Sequence, residues 1–142
     1  MPAEVNYTIY EDLAQIPPFD PGLDNEYPPQ AVVDFRHKIN NTDVVIICTP
    51  EYAFGVPGQL KNALDWTVSS STLVDKQVIL ITAASVGDSA HASLLKTLGA
   101  LNTNVISDLL VPFIRAKIDS DGNIIDEDLK ADLGVILATI LK

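Results

Sequence analysis

Hydrophobic residues in this chain form short runs separated by segments of helical spacing. Runs that are apolar on both faces of an extended chain lie at 44–49 and 78–84, and residues 105–113 hold a further one that ends at Pro112. Strands of this kind are typical of a parallel sheet that helices cover on both sides. The pattern therefore predicts an α/β domain with a parallel sheet.

Two segments near the N-terminus have different patterns. Residues 5–10 alternate apolar and polar positions and are rich in β-branched and aromatic side chains, which predicts a first strand near a sheet edge. Residues 17–29 contain five prolines, a density that excludes regular secondary structure and predicts an ordered loop or arm. The predicted order is then strand, loop, helix, followed by three strand–helix units.

Apolar residues at helical spacing predict four helices, and several residues fit their ends. Asn41 suits a helix stop, Pro57 suits a first turn, and Asp88 or Ser89 suits the N-cap of the helix after the second apolar run. Negative charge at 126–128 favours the start of the last helix. The predicted helices are 30–40, the segment after Pro57 that runs to about Val68, 90–101, and 126 to about 141.

Composition narrows the class of protein. The chain has 142 residues, of which 47% are hydrophobic, and this is enough for one domain, residues 1–142, with one core. Its net charge of -10 repels a phosphate backbone, so nucleic-acid binding is not expected. No apolar run approaches the roughly 18 residues of a membrane span, and no signal peptide is predicted, so we expect a cytoplasmic protein without a membrane partner. The single cysteine, Cys48, is expected to be a small buried hydrophobe.

Two strand-to-helix loops, at 50–58 and 84–89, are the candidate site. Both follow parallel strands, and the carboxyl ends of such strands form the ligand crevice of open α/β sheets. The first loop carries Tyr52 and Phe54, which offer flat apolar surface, and the second has Gly87 as its flexible point. No nucleophile–base pair or metal-ligand spacing is visible. The same residues are also compatible with no more than a well-formed turn and helix start.

Several motifs resemble the NADPH-dependent FMN reductases, a branch of the flavodoxin-like folds. The most specific are Pro-Glu-Tyr at 50–52 and Pro-Gly followed by Leu-Lys-Asn-Ala-Leu-Asp-Trp over 57–66. Weaker matches are Ile-Tyr at 9–10, the proline loop at 16–21, and Phe-Arg at 35–36. The resemblance covers most of the chain and implies a three-layer sandwich around a parallel sheet.

The resemblance also implies a site and a reaction. The loop after the 44–49 strand would wrap the flavin ring, largely through backbone groups, and the next loop would line its other side. FMN would be the cofactor and NAD(P)H the co-substrate, with a quinone, a flavin or a similar small molecule as electron acceptor. A homodimer or homotetramer is implied. The implied cofactor-binding residues are Pro50, Glu51, Tyr52, Ala53, Phe54, Ser85, Val86 and Gly87.

One part of the family pattern has no match here. Family members begin with a strand and a loop resembling Gly-Ser-x-Arg-x-x-Ser that holds the FMN phosphate. Relative to them, about 30 residues, one strand–helix unit, are expected to be missing. In the flavodoxin-like order 2-1-3-4-5 that strand lies between the second and third, so the 44–49 strand is expected to have an unpaired edge.

Three hypotheses address this edge. The chain is a truncated product of an ordinary reductase, another copy covers the edge, or the 5–10 strand pairs directly with 44–49. All three predict weaker FMN binding than in a complete member. The alternative function is a non-catalytic truncated relative that keeps the fold and the oligomer but does not bind FMN.

From the sequence, several individual residues have more than one interpretation. Tyr52 fits a flavin wall or a surface or interface aromatic. Glu51 fits a ligand contact, or a solvated or cap-forming carboxylate. Asp65 and Trp66 are expected to serve packing and a subunit interface. His91 is expected to be an ordinary helix-face histidine rather than a proton donor. Arg36 is expected to pack its stem against the first helix.

Overall fold

The computed structural model describes residues 5–141. The predicted alternation of strands and helices is present from residue 30 onward, and β1 and α1 have the predicted bounds. A short α4 was not predicted. The strands are β1 (Val44–Thr49), β2 (Gln77–Ala83) and β3 (Asn104–Val111), and the helices are α1 (Gln30–Asn40), α2 (Gly58–Asp65), α3 (Asp88–Ala100), α4 (Ile114–Lys117) and α5 (Glu127–Ile140).

The sheet is parallel and has the order β1-β2-β3. β1 pairs with β2 in an unbroken register from Val44 opposite Gln77 to Thr49 opposite Thr82. β2 pairs with β3 in the same direction, with one register shift between Val78 and Ile79. Because the strands are parallel, all three carboxyl ends lie at the same end of the sheet. The loops after β1 and β2 are therefore neighbours.

Helices pack on both faces of the sheet. On one face, α1, α2 and α3 meet alternate side chains of β1 and β2 in the main core cluster, which includes Ile39, Ile47, Leu64, Leu80 and Leu94. α5 contacts β3 and contributes no residue to that cluster. Ile79 points to the opposite side from its neighbours Val78 and Leu80, yet it too is fully buried. The domain is therefore a three-layer α/β structure. Among the described helices, none has both the length and the apolarity of a membrane crossing.

The predicted strand at 5–10 is wrong. These residues have no strand pairing, and β1 pairs only with β2 among residues 5–141. An extended segment becomes a strand only when a neighbour accepts and donates its ladder hydrogen bonds. Here Ile9 remains exposed, and Tyr10 packs on Phe35 of α1 at a ring distance of 5.2 Å. The hypothesis that this segment pairs directly with β1 is therefore also wrong in this structure.

The proline-rich segment is an irregular arm, as predicted, and α2 holds it. The Asn62 side chain accepts a hydrogen bond from Phe19 N at 2.8 Å and donates one to Pro17 O at 3.0 Å. The Trp66 indole N–H donates to the same Pro17 carbonyl at 2.8 Å, and its fully buried ring meets Phe19 edge-on. The expectation that Trp66 serves packing is confirmed. The Asp65 carboxylate pairs with Lys61 at 2.7 Å instead.

Arg36 does more than pack its stem. Its guanidinium donates to the Trp66 carbonyl just beyond α2 and to Asp24 Oδ1 of the arm at 2.8 Å. The hydrogen bond from Arg36 holds the pKa of Asp24 below its usual value. Arg36 therefore joins α1, the end of α2 and the arm.

The expectation that Cys48 is buried is wrong. The Cys48 side chain is exposed, on the same face of β1 as the half-exposed Ile46. The helices that cover Ile47 lie on the other face, and no described helix covers Ile46 and Cys48 closely enough to bury them. Surrounding protein atoms still raise the pKa of the Cys48 thiol, so the structure gives no sign of an activated thiolate.

Candidate functional site

The two loops singled out by the sequence lie side by side at the carboxyl end of the sheet. The first follows Thr49 of β1 and the second follows Ala83 of β2, and these strand ends are hydrogen-bonded neighbours. The geometry of the parallel sheet thus brings the two predicted halves of the site together.

The first loop is a tight two-residue turn. Tyr52 and Gly55 exchange both backbone hydrogen bonds, at 3.0 and 2.9 Å. Ala53 and Phe54, between them, have positive φ angles of 49° and 58°. This is the geometry of a type I′ turn, which normally takes Asn or Gly because a side chain at positive φ costs about 1 kcal/mol or more. The strain makes the turn a candidate for function rather than a simple connection.

The turn displays its rings to solvent. The Tyr52 side chain is 65% exposed and that of Phe54 is 76% exposed. Within residues 5–141, several backbone N–H groups of the two loops find no acceptor, among them those of Ala53, Phe54, Ser85 and Val86. Two apolar rings and several unused N–H donors therefore lie together at the carboxyl end of the sheet.

Gly87, in the second loop, requires its glycine. It is the N-cap of α3 and has a φ of 97°, where side chains are strained. A Cβ at this position would lie 2.7 Å from Leu110 Cδ1 of β3. The predicted N-caps, Asp88 and Ser89, are wrong, because both residues already belong to the first turn of α3.

Glu51 supplies the capping oxygens that Gly87 lacks. Its carboxylate accepts hydrogen bonds from Gly87 N at 3.1 Å and from Ala90 N at 2.9 Å. A carboxylate at this end also complements the positive end of the helix dipole. Of the two alternatives for Glu51, the structure shows the capping role. Its side chain fixes the first loop to the start of α3, so Glu51 sets the spacing of the two loops.

The end of β3 adds a residue that sequence reasoning missed. Phe113 N donates to Ser85 O and Ile114 N donates to Ala84 O, each at 3.2 Å. Phe113 is 68% exposed and has a φ of 54°. No sequence signal marks it, because a phenylalanine after Pro112 reads as the last residue of a strand.

His91 is buried and fully engaged. Its Nδ1 lies 2.9 Å from Thr82 Oγ1, and its Nε2 lies 3.0 Å from Asp108 Oδ1. Neutral histidine satisfies both contacts when Nε2–H donates to Asp108 and Nδ1 accepts from Thr82. The helix-face position of His91 is confirmed, and its role here is to join α3 to β2 and β3.

The chain has two arginines that could bring positive charge to the carboxyl end of the sheet. Arg36 is committed to the arm and to α2, whereas Arg115 of α4 is exposed and forms no ion pair within the described residues. Residues 5–141 contain no cluster of three or more His, Cys, Asp or Glu side chains suited to a metal ion. The unpaired backbone N–H groups of the two loops are a further source of positive potential there.

Several known proteins resemble this chain in sequence. The sequence profile of the family described as NADPH-dependent FMN reductase matches residues 1–116. An NADH:(hydroxy)cinnamate reductase subunit from Vibrio ruber is 34% identical over an alignment that covers 94% of this chain and 69% of the relative. A probable NADPH:quinone oxidoreductase from Oryza sativa subsp. japonica is 33% identical over 85% of this chain and 63% of the relative.

The fold has solved counterparts. A flavoenzyme NAD(P)H:(acceptor) oxidoreductase from Paracoccus denitrificans, FerB, superposes with a TM-score of 0.69 over 89% of this chain and 74% of that one, at 21% identity. The azoreductase AzrA superposes with a TM-score of 0.54 over 72% of this chain and 69% of that one, at 13% identity. These likenesses confirm the flavodoxin-like α/β fold class. Because the family profile matches most of its length, the chain belongs to the NADPH-dependent FMN reductase family.

Proposed function

We propose that this chain is a flavoprotein that uses FMN to carry reducing equivalents from NAD(P)H to a quinone, a flavin or a similar small molecule. The observation that carries the proposal is the pair of adjoining loops at 50–58 and 84–89, with their exposed rings and unused N–H donors. The assignment of FMN as cofactor and of NAD(P)H as co-substrate rests on membership of the family. The named quinone and cinnamate reductases among the relatives support small planar acceptors.

The residues present fit a flavin ring. Its flat tricyclic body matches the exposed faces of Tyr52 and Phe54, and its carbonyl oxygens and ring nitrogens match the unpaired N–H groups of Ala53 and Ser85. Glu51 acts indirectly, because its oxygens are occupied by Gly87 and Ala90. We propose the following cofactor-binding residues: Pro50, Glu51, Tyr52, Ala53, Phe54, Ser85, Val86 and Gly87.

The chain supplies position and the cofactor supplies the chemistry. Bound FMN would supply two-electron chemistry: two electrons and one proton would come from NAD(P)H and, with a second proton from water, would convert a quinone to the hydroquinone. The turn at 52–55 and the start of α3 would hold the flavin ring. The Glu51 contact fixes the two loops relative to each other, so their aromatic rings and N–H groups are in place before a flavin binds.

A titration of FMN with the purified protein tests the proposal. We expect saturable quenching of flavin fluorescence with a micromolar dissociation constant. Tyr52→Ala removes a ring contact and should weaken binding about two- to ten-fold, from an aromatic pair energy of about 0.5–1.5 kcal/mol. Tyr27→Ala is the matched control, because Tyr27 is 86% exposed and lies in the arm, outside both loops.

The alternative function predicts the opposite result. A non-catalytic relative would not quench FMN at high micromolar protein, and would not oxidise NADH or NADPH with a quinone. Either finding would contradict our proposal. If Tyr52→Ala binds FMN as tightly as the wild type, the proposed location of the FMN site is wrong, but the proposed activity is not contradicted.

We also propose that the protein forms a homodimer or homotetramer through the edge of β1 that has no partner strand within residues 5–141. Ile46 is 39% exposed on that strand, and an unpaired apolar edge is a ready site for pairing with another chain. The use of NAD(P)H suggests the cytoplasm as the working compartment, which fractionation of source cells would test.

A further inference from the structure

The carboxyl end of β3 carries an exposed aromatic ring in an unusual backbone conformation. Phe113 has φ 54° and ψ 37°, in the left-handed region that favours glycine and asparagine. Its ring is 68% exposed, so burial within this chain does not offset the strain. A residue that is both strained and exposed points to a role outside the packing of the domain.

Phe113 shares this combination with one other aromatic residue. Phe54, at the tip of the first loop, has a φ of 58° and is 76% exposed. The remaining non-glycine residues with positive φ are not aromatic, and three of them lie in turns that precede β2 and β3. These residues are Ala53, Ser71, Asp75 and Asn102. Within residues 5–141, strained and exposed aromatic rings thus occur only at the carboxyl end of the sheet.

Backbone hydrogen bonds fix Phe113 to the candidate site. Its N–H donates to Ser85 O, and the next N–H donates to Ala84 O, each at 3.2 Å. Ala84 N in turn donates to Val111 O at 3.1 Å. These three bonds attach the end of β3 to the second flavin-binding loop that we propose. The position of Phe113 relative to that loop is therefore set by the fold, although its side chain remains exposed.

We infer that Phe113 is a specificity-determining residue that forms a wall for the planar apolar ring of the electron acceptor, the quinone class in particular. The inference rests on the proposed function, because it places the acceptor beside the flavin loops. An aromatic face gains stacking energy with a flat ring and gains little with a compact, strongly hydrated ion. Phe113 should therefore favour quinones over an acceptor such as ferricyanide.

Equilibrium binding gives the first test. 1,4-Naphthoquinone is titrated into the FMN-supplemented protein without NAD(P)H, and binding is followed by saturation-transfer NMR. Phe113→Gly removes the ring and relieves the positive φ, so the fold is retained, and we expect about three- to ten-fold weaker binding. Phe113→Tyr keeps a ring and should restore binding. Ser71→Gly relieves a positive φ of 54° in the turn before β2 and should change nothing.

Steady-state kinetics give the second test. With naphthoquinone, each NAD(P)H and one proton yield one hydroquinone, whereas with ferricyanide each NAD(P)H reduces two ions. Phe113→Gly should raise KM for naphthoquinone by the same factor as it raises the dissociation constant. Ferricyanide reduction should stay unchanged. The dissociation constant of FMN should also stay unchanged. A loss that is equal for both acceptors would mean a structural role and would overturn the inference.

The outcomes separate this inference from the proposed function. A wild-type protein that binds no FMN would contradict the proposed function, while quinone binding that depends on Phe113 would still stand. If the wild type binds no naphthoquinone, or binds it as Phe113→Gly does, the inference is wrong even where FMN reduction is measured.

Discussion

Single residues at the carboxyl end of the sheet show what a local sequence pattern can predict and what it cannot. Tyr52 and Gly87 were predicted from the sequence as site residues, and the structure places both at that edge. The N-cap of α3 was not predicted correctly, because its capping oxygens come from Glu51, 36 residues earlier than Gly87. Capping rules consider only neighbours in sequence, so a cap supplied by another loop is invisible to them.

Gly87→Ala tests the requirement for glycine in the second loop. The positive φ of 97° strains any side chain, and the added Cβ would lie 2.7 Å from Leu110 Cδ1. Part of the clash can be relieved because Leu110 is flexible, but the backbone strain remains. We expect a loss of about 1–3 kcal/mol in the free energy of unfolding, measured by urea denaturation.

Gly99→Ala in the same helix is the matched control for Gly87→Ala. A Cβ at Gly99 meets nothing within 4 Å, and alanine is a better helix former, so this variant should be stabilised by up to about 1 kcal/mol. Equal effects of the two substitutions would contradict the special geometry of Gly87.

At the scale of elements, the two halves of the most specific sequence motif have different structural roles. The Pro-Glu-Tyr half leads into the strained turn at Ala53 and Phe54, and its Glu51 caps α3. The half that ends in Trp66 forms α2, and its Asn62 and Trp66 side chains hold the proline-rich arm. Sequence reasoning found the motif as one unit. It could not separate these tasks, because the partner of α2 is an irregular segment more than forty residues away.

Asn62→Ala should release the arm. The variant loses the hydrogen bond from Phe19 N and those to Ile16 O and Pro17 O, and we expect a loss of about 2 kcal/mol in stability. Hydrogen exchange of residues 17–27 should accelerate, while exchange in β2 should change little. Asn40→Ala is the control, because Asn40 is exposed at the end of α1 and makes no side-chain hydrogen bond within the described chain. Unchanged exchange in the arm would contradict this role of Asn62.

The start of α5 gives a pH-dependent prediction. The hydrogen bond from Leu129 N at 2.8 Å, followed by the contact with Lys117 Nζ at 3.0 Å, lowers the pKa of Asp126. A carboxylate with a lowered folded pKa stabilises the protein above its unfolded pKa of about 3.9 and loses this contribution as pH falls through the folded pKa. Asp126→Ala should therefore be less stable than the wild type at pH 7, and the difference should shrink below about pH 4.

Asp126→Asn separates the cap from the charge. Asparagine caps helices as well as aspartate does, so the hydrogen bond to Leu129 N is kept while the titration is removed. Thermal melts from pH 3 to pH 8 should show a flatter pH dependence for Asp126→Asn than for the wild type, with most stability retained at neutral pH. A pH dependence identical to that of the wild type would show that Asp126 does not contribute to it.

At the scale of the whole molecule, the parallel sheet and its helices were predictable because apolar runs and helical spacing report burial directly. The 5–10 segment was not, because alternation shows that a segment could pair but not whether a partner strand exists. The exposure of Cys48 has the same origin. An apolar residue in a strand is expected to be covered, and only the arrangement of the helices shows that this face of β1 is open.

The open edge of β1 leads to a prediction about assembly. In the described chain β1 pairs on one side only, and Ile46 is 39% exposed. Two copies that pair edge to edge would satisfy the free backbone groups and cover the apolar side chains. We expect light scattering to give a mass that is a multiple of the 15.3 kDa protomer. A charge on this edge opposes pairing, so Ile46→Lys should yield the 15.3 kDa monomer.

Salt and a control variant show which force holds the copies together. Each protomer carries a net charge of -10, so like-charge repulsion opposes association, and raising the salt to about 0.5 M should strengthen an apolar edge contact by screening. An interface made of ion pairs would weaken instead. Val74→Lys places the same charge on an exposed valine in the turn before β2 and should leave the mass unchanged. A wild-type protein that stays at 15.3 kDa at every concentration would show that the edge of β1 does not pair.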